Sequence, residues 1–443
     1  MFRKLLLVVA AAALTAACSH NGIYRSQLTD ECTYQKEGDC KSSALQISNT
    51  GEDTEYRLGF IEYDDQGQLW QRKQQDSVID RYLEFAGKQD VIVLTFVHGW
   101  HHSAEPEDGN IQEFREMLEK VSASEAMLSS KHNRDRRPVL GVYIGWRGDS
   151  ISIPVINHTT FWGRKATAHE VGRKGVTEAL LRLEELVNVR NTFKDGEPQS
   201  TSRLVVIGHS FGGAVVYSSL QKILTDRFID SRRGKNFSST AQGFGDMVIL
   251  MNPAFEAMRF ASLQELSQVQ CRGYFPGQLP KLAILTSETD YATKWAFPAG
   301  RIFSTMFESH RTVDTHVCPK PGNPVATEYS QGKADRNTVG HYEPFLTHRL
   351  DPAGAESPET FNLERAYFDW SAHDNSKPDI YTTVDLKTKS RTTARNPYMN
   401  IVVDKELMDG HNDIWGDAVI GFISELITVS TTPVEVYEKL IAE

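Results

Sequence analysis

The chain has little that would attach it to nucleic acid or hold it across a bilayer. Asp and Glu outnumber Lys and Arg by 58 to 48 among its 443 residues, a formal charge of −10. No basic surplus is therefore available to neutralise phosphates. The short basic runs Arg134-Asp135-Arg136-Arg137 and Ser231-Arg232-Arg233-Gly234-Lys235 read as solvated loops. The apolar run near the start, Leu5 to Ala13, is too short for a permanent membrane anchor. No internal repeat and no low-complexity tract is present. Cysteine is scarce, with five residues in all. What is present is an ordinary core composition, 40% apolar and 10% aromatic, enough for one large domain with insertions or two smaller ones.

Residues 1–17 read as an export signal: Arg3 and Lys4 form the basic start, Leu5 to Ala13 the apolar core and Thr15-Ala16-Ala17 a small-residue cleavage region. Leu14-Thr15-Ala16-Ala17-Cys18 resembles a bacterial lipobox, with Thr15 where that motif has an aliphatic residue and Leu14 one place early. On this reading Cys18 carries a lipid. Ser19 after it resembles lipoproteins sent to the outer membrane, so the expected location is that membrane, facing the periplasm or cell surface, and otherwise the periplasm or medium. Setting Cys18 aside leaves Cys32, Cys40, Cys271 and Cys318, an even number that suits an oxidising compartment. Three pairings are open to four cysteines. Cys32–Cys40 and Cys271–Cys318 are favoured, since each pair lies in one loop-rich region.

Residues 18–55 are polar and read as a tether followed by irregular structure. Within 56–295, Arg57 to Tyr63 alternates like an antiparallel strand with a return at Gln68-Leu69-Trp70, and Ser77 to Ala86 has a helical pattern. Val91 to Val97 is a continuous apolar run, as expected of a strand buried on both faces. Further strands are expected at Val139–Trp146, Leu204–Gly208, Met247–Met251 and Leu282–Thr286, with helices at Ile111–Ala126 and Ala166–Val189 between them. This alternation argues for an α/β fold, a mostly parallel sheet covered by helices on both faces. Residues 296–400 lose the pattern and read as a large irregular insertion or lid between two parts of the core; 401–443 supply its last strand and helix.

Val205 to Val216 runs from a β-branched strand through Gly208-His209-Ser210-Phe211-Gly212 into a small-residue helix start. A bare Gly-x-Ser-x-Gly arises by chance about 0.1–0.2 times in a chain this long. The strand before and the helix after it are the context a nucleophile elbow requires. Ser210 then needs a base, an acid to orient the base, and donors for an oxyanion. The chain order of this architecture, Ser then Asp or Glu then His, restricts the search to residues after Ser210. Of His310, His316, His341, His348, His373 and His411, only His411 lies outside the insertion, in the loop before the last helix. Asp290, just past the strand Leu282–Thr286, is the expected acid, with Glu288 as the alternative; a plain helix N-cap is the other reading of Asp290. The backbone N–H groups of Trp100 and Phe211 are the expected oxyanion donors. His98, His101 and His102 match no zinc-site spacing. His209 is no base, because neighbouring strand residues face opposite ways.

Phe96-Val97-His98-Gly99-Trp100, Tyr143 to Gly148, Gly208 to Gly213, Asn252-Pro253-Ala254, Ser287 to Asp290 and His411 together resemble the α/β-hydrolase superfamily, in particular its bacterial secreted or lipoprotein serine-hydrolase-like members. The resemblance covers roughly residues 90–295 and 400–430. It implies a Ser–Asp–His triad of Ser210, Asp290 and His411, a cofactor-free mechanism without metal, and attack on an ester or related acyl bond of a small molecule or lipid. A thioesterase or amidase would use the same residues, and a non-catalytic envelope binding or scaffold protein on this fold is the alternative from another class.

Overall fold

The apolar runs form strands because each can bury both faces, and the amphipathic segments between them form the helices that do the covering. A computed structural model describes residues 22–28, 30–36, 38–148, 157–191, 200–229, 238–305, 308–355, 357–372 and 379–432. The signal segment, Cys18, His373 and the run at Ser231–Lys235 lie outside the described residues.

A 12-stranded sheet runs through the molecule. In chain order its strands are β1 (Cys32–Tyr34), β2 (Leu45–Ser48), β3 (Tyr56–Tyr63), β4 (Ile92–Val97), β5 (Val139–Trp146), β6 (Arg203–His209), β7 (Met247–Met251), β8 (Leu282–Ser287), β9 (His348–Pro352), β10 (Asp379–Ile380), β11 (Val384–Thr388) and β12 (Tyr398–Val403). They lie side by side as β1-β2-β3-β5-β4-β6-β7-β8-β12-β9-β11-β10. From β3 across to β9 every neighbouring pair is parallel. The joins β2–β3, β9–β11 and β10–β11 are antiparallel.

Alternation along the strands feeds two separate cores. Leu204 and Val206 of β6 pack with helices α1 (Arg72–Ala86), α3 (Asn157–Val171), α4 (Thr177–Asn188), α5 (Phe211–Ile229) and α6 (Ala257–Gln268) on one face. Val205 and Ile207 pack on the other with α2 (Gly109–Lys131) and the long helix Asp417–Thr431. The fold is therefore α/β, three layers thick, with helices on both faces of a mostly parallel sheet. No helix among the described residues is long and apolar enough to cross a membrane.

Four local expectations differ from the structure. β3 pairs parallel with β5 and antiparallel with β2, whereas the return at Leu69 is reduced to one bridge to Tyr63. The segment after the tether is not wholly irregular, since β1 and β2 extend the sheet. The stretch 296–400 is likewise not irregular throughout. It contains an antiparallel hairpin (Thr312–Lys320 with Asn323–Ser330) and then β9, β10 and β11, which widen the central sheet beyond β12. Finally, Arg137 is buried rather than solvated. Both expected cysteine pairs are bonded, Cys32 to Cys40 and Cys271 to Cys318.

Arg137 and Glu125 show how the far edge of the sheet is tied. Arg137 binds Glu125 of α2 at 2.7 Å and donates to the carbonyls of Thr201, before β6, and Thr431, at the end of the last helix, both at 2.8 Å. Burial alone would raise the Glu125 carboxyl, but hydrogen bonds and charge from Arg134 and Arg137 outweigh it and bring the group to about 2. A carboxyl depressed from 4.5 to about 2 on folding gives stabilisation that is complete above 4.5 and is lost as the pH falls through about 2. Glu125→Gln leaves Arg137 buried and unpaired, and should destabilise the fold by about 3–5 kcal/mol near neutral pH. Denaturant unfolding should show that gap to the wild type shrinking at acid pH.

Candidate active site

β6 ends at the sheet edge where β4 and β5 also end, and the chain turns there at once into α5. Ser210 occupies the turn with φ 54°, a left-handed conformation that a side chain beyond glycine rarely adopts. Its N–H donates to the Met251 carbonyl at 2.9 Å and its own carbonyl accepts from Ala254 N–H at 3.0 Å, so the strained turn is held from β7. The glycines around it are there because no side chain fits. A Cβ on Gly212 would lie 2.0 Å from the Val97 carbonyl oxygen, and one on Gly99 would lie 2.8 Å from Ser210 Cβ.

The three residues expected to act together do meet. Ser210 Oγ lies 2.7 Å from His411 Nε2, and His411 Nδ1 lies 2.8 Å from Asp290 Oδ2. The carboxylate can only accept, so Nδ1 carries the imidazole proton and Nε2 accepts from the Ser210 hydroxyl. Asp290 is fully buried at its side chain, whereas that of His411 keeps 21% of its exposure. Burial on its own would raise the Asp290 carboxyl. The hydrogen bond and charge of His411, with bonds from Thr293, outweigh it and hold the group below its usual range.

Asp290 also satisfies the N-cap reading. Its Oδ1 accepts from the Thr293 N–H at 3.1 Å at the head of the helical stretch that follows, and a helix start favours a negative charge. The same carboxylate thus starts a helix and orients the histidine. Glu288, by contrast, turns away from His411 to Arg349 at 2.9 Å. The alternative acid is spent on a salt bridge to β9.

The structure adds four residues that the sequence did not single out for these roles. Thr293 Oγ1 donates to Asp290 Oδ2 and lies 3.1 Å from His341 Nε2. Having given its one proton to the carboxylate, the hydroxyl accepts from His341 N–H. Burial pushes the His341 imidazole down to about 4, so the ring is neutral. His209 lies beside His411, and its Nε2 donates to the His411 carbonyl at 3.0 Å. Burial and the neighbouring His411 push its pKa down to about 3. Asn252 (φ 44°) joins the loops: its Nδ2 donates to the His411 carbonyl at 2.8 Å, and its Oδ1 accepts from Ser287 N–H at 2.9 Å.

Of the two expected oxyanion donors, Phe211 follows the serine at the head of α5; the Trp100 ring lies 6.4 Å from the Phe211 ring. His98 is structural. It accepts from Trp146 N–H at Nε2 (3.0 Å), bonds the Gly99 carbonyl through Nδ1 (2.9 Å), and burial pushes its pKa down to about 4. His102 bonds Asp108 at 3.0 Å. The other candidate bases lie apart: His316 bonds the Gln268 carbonyl, His348 bonds Thr347, and His310 sits beside Asp335.

Chemically, the arrangement can pass a proton from a serine hydroxyl to an imidazole whose tautomer is fixed by a buried carboxylate. No protein-family model matches the chain, and no curated protein and no solved structure matches it either.

Two glycine substitutions test the packing of the turn. Gly212→Ala should lower stability by about 3 kcal/mol or more, because the obstacle is backbone rather than a movable side chain. Gly163→Ala meets nothing within 4 Å in its helix and should instead raise stability by about 0.5–1 kcal/mol. Thermal or denaturant unfolding of the two variants checks both signs.

Proposed function

We propose that the protein is a serine hydrolase of the α/β-hydrolase fold that cleaves a carboxylic ester through an acyl-enzyme. The observation that carries this reading is the continuous hydrogen-bonded line Ser210 Oγ–His411 Nε2 and His411 Nδ1–Asp290 Oδ2, at 2.7 and 2.8 Å. It starts from a serine in left-handed backbone at the head of a helix.

In this reading His411 takes the Ser210 proton as the hydroxyl attacks the substrate carbonyl. Asp290 stabilises the imidazolium without itself becoming protonated. The developing oxyanion is held by backbone donors at Phe211 and Trp100. His411 then gives its proton to the departing alcohol; in the second half it draws a proton from water as the water oxygen attacks the acyl carbon, and returns that proton to Ser210 Oγ as the acid leaves. Thr293 bonds Asp290 and His341 bonds Thr293, so both keep the acid in register. Carboxylic esters come first among substrates, including lipid esters if Cys18 carries a lipid. Thioesters and amides would pass through the same steps.

A fluorophosphonate probe should label the wild type and not Ser210→Ala. Against an ester panel, Ser210→Ala and His411→Ala should lose about 10⁴–10⁶ in kcat, and Asp290→Asn about 10⁴. Glu288→Gln should stay within a few-fold, since its partner is Arg349. A wild type that neither labels nor turns over any ester would overturn the reading in favour of a binding protein.

A further inference from the structure

The helical stretch that begins after Asp290 (Ala292–Ala296, continuing as Phe297–Ser304) has its largest apolar side chains on both sides. Thr293 and Phe297 are buried, and Arg301 turns inward to Asp335 at 2.8 Å. On the opposite side Tyr291 is 71% exposed, Trp295 61% and Ile302 52%. Their spacings of four and seven place them along one line of a helix. No acidic residue occurs between Asp290 and Glu308, while the exposed Lys294 stands beside Trp295. An aligned set of exposed aromatic and aliphatic side chains marks a contact surface. Trp, Tyr and a cation at its margin suit the boundary between water and lipid.

The N-terminal segment supplies a second, independent observation. Tyr24 and Arg25 are fixed through their N–H groups to Glu62, each at 2.9 Å, and Arg25 Nε donates to the Ala104 carbonyl at 3.0 Å. Glu62 pairs with Gly145 one step beyond the level of Ile144, Val97 and Gly208. The chain therefore enters the fold at the sheet edge that carries Ser210. Cys18 lies six residues before Tyr24, which extended chain spans in at most about 20 Å. A lipid on Cys18 would hold that edge close to the bilayer.

We propose that Tyr291, Trp295 and Ile302 dock on a phospholipid surface, and that the acyl substrate reaches Ser210 from that surface. The second half rests on the serine-hydrolase reading; the first does not. Because the docking helix starts at Asp290, the surface it rests on lies next to the proton-transfer line.

The test uses the full chain carrying Cys18→Ala, so that an anchor cannot mask the helix, with and without Trp295→Asp and Ile302→Asp. Vesicles of phosphatidylethanolamine and phosphatidylglycerol are the probe. The two substitutions together should weaken vesicle binding by at least about tenfold. Turnover of an ester embedded in those vesicles should fall similarly, while a short water-soluble ester is turned over within about twofold of the parent. Vesicle binding unchanged by the substitutions overturns the docking proposal. So does a change in oligomeric state by gel filtration without a change in vesicle binding, which would make a second copy the occupant. Vesicle binding lost in the variants, with no ester turned over even by the parent, upholds docking and sinks the hydrolase reading alone.

Discussion

The constraint on which the site depends is the lack of space between the end of β4 and the turn from β6 into α5. The Val97 carbonyl oxygen stands where any side chain on residue 212 would be, and the Gly99 backbone presses on Ser210 from the same side. Bringing two backbones this close sets the serine at the sheet edge, buried, with its φ at 54°. Strain of that kind, of order 1–3 kcal/mol, persists only where the surroundings over-determine it. Here the parallel ladder on both sides of β6 and the bonds from Met251 and Ala254 do so.

Around this fixed point the other two members are positioned by loops laced to one another rather than by strands directly. Ser287 Oγ donates to the Met408 carbonyl at 2.6 Å, Gly410 N–H donates to Thr289 Oγ1 at 3.0 Å, and Asn252 grips both loops. The acid loop and the base loop thus behave as one unit, suspended from β8 and β12, which are paired along their length. Ser287, Thr289, Asn252 and Gly410 are joined by hydrogen bonds across the two loops, and such links make a polar interior rigid.

How far this was legible from the amino acids follows from where each signal lives. Strands such as Val91–Val97 declare themselves because burial on both faces demands an unbroken apolar run. Ser210, Asp290 and His411 were reachable because strand–turn–helix context and chain order restrict the candidates to a few. β9 was not, since His348-Arg349-Leu350-Asp351-Pro352 is short, charged and ends in proline. It is a strand because β11 and β12 offer it a ladder on either side. The choice between Asp290 and Glu288, two residues apart, was open until Arg349 of β9 claimed the glutamate. Thr293 and His341 sit in stretches without periodicity, and only the third dimension joins them to the acid.

The order of strands in the sheet has a further consequence for how the chain is made. β12, at residues 398–403, lies between β8, at 282–287, and β9, at 348–352. A chain synthesised from its N-terminus therefore carries β9, β10 and β11, paired only with one another, for some time with nothing to join them to β8, and β8 keeps an open edge until β12 arrives. Pairings between such distant segments are slow, because loop closure precedes any gain from contact. The histidine loop follows the same late strand. No incomplete chain can present an assembled serine, histidine and aspartate, so the three side chains meet only at the step that also seals the exposed edge.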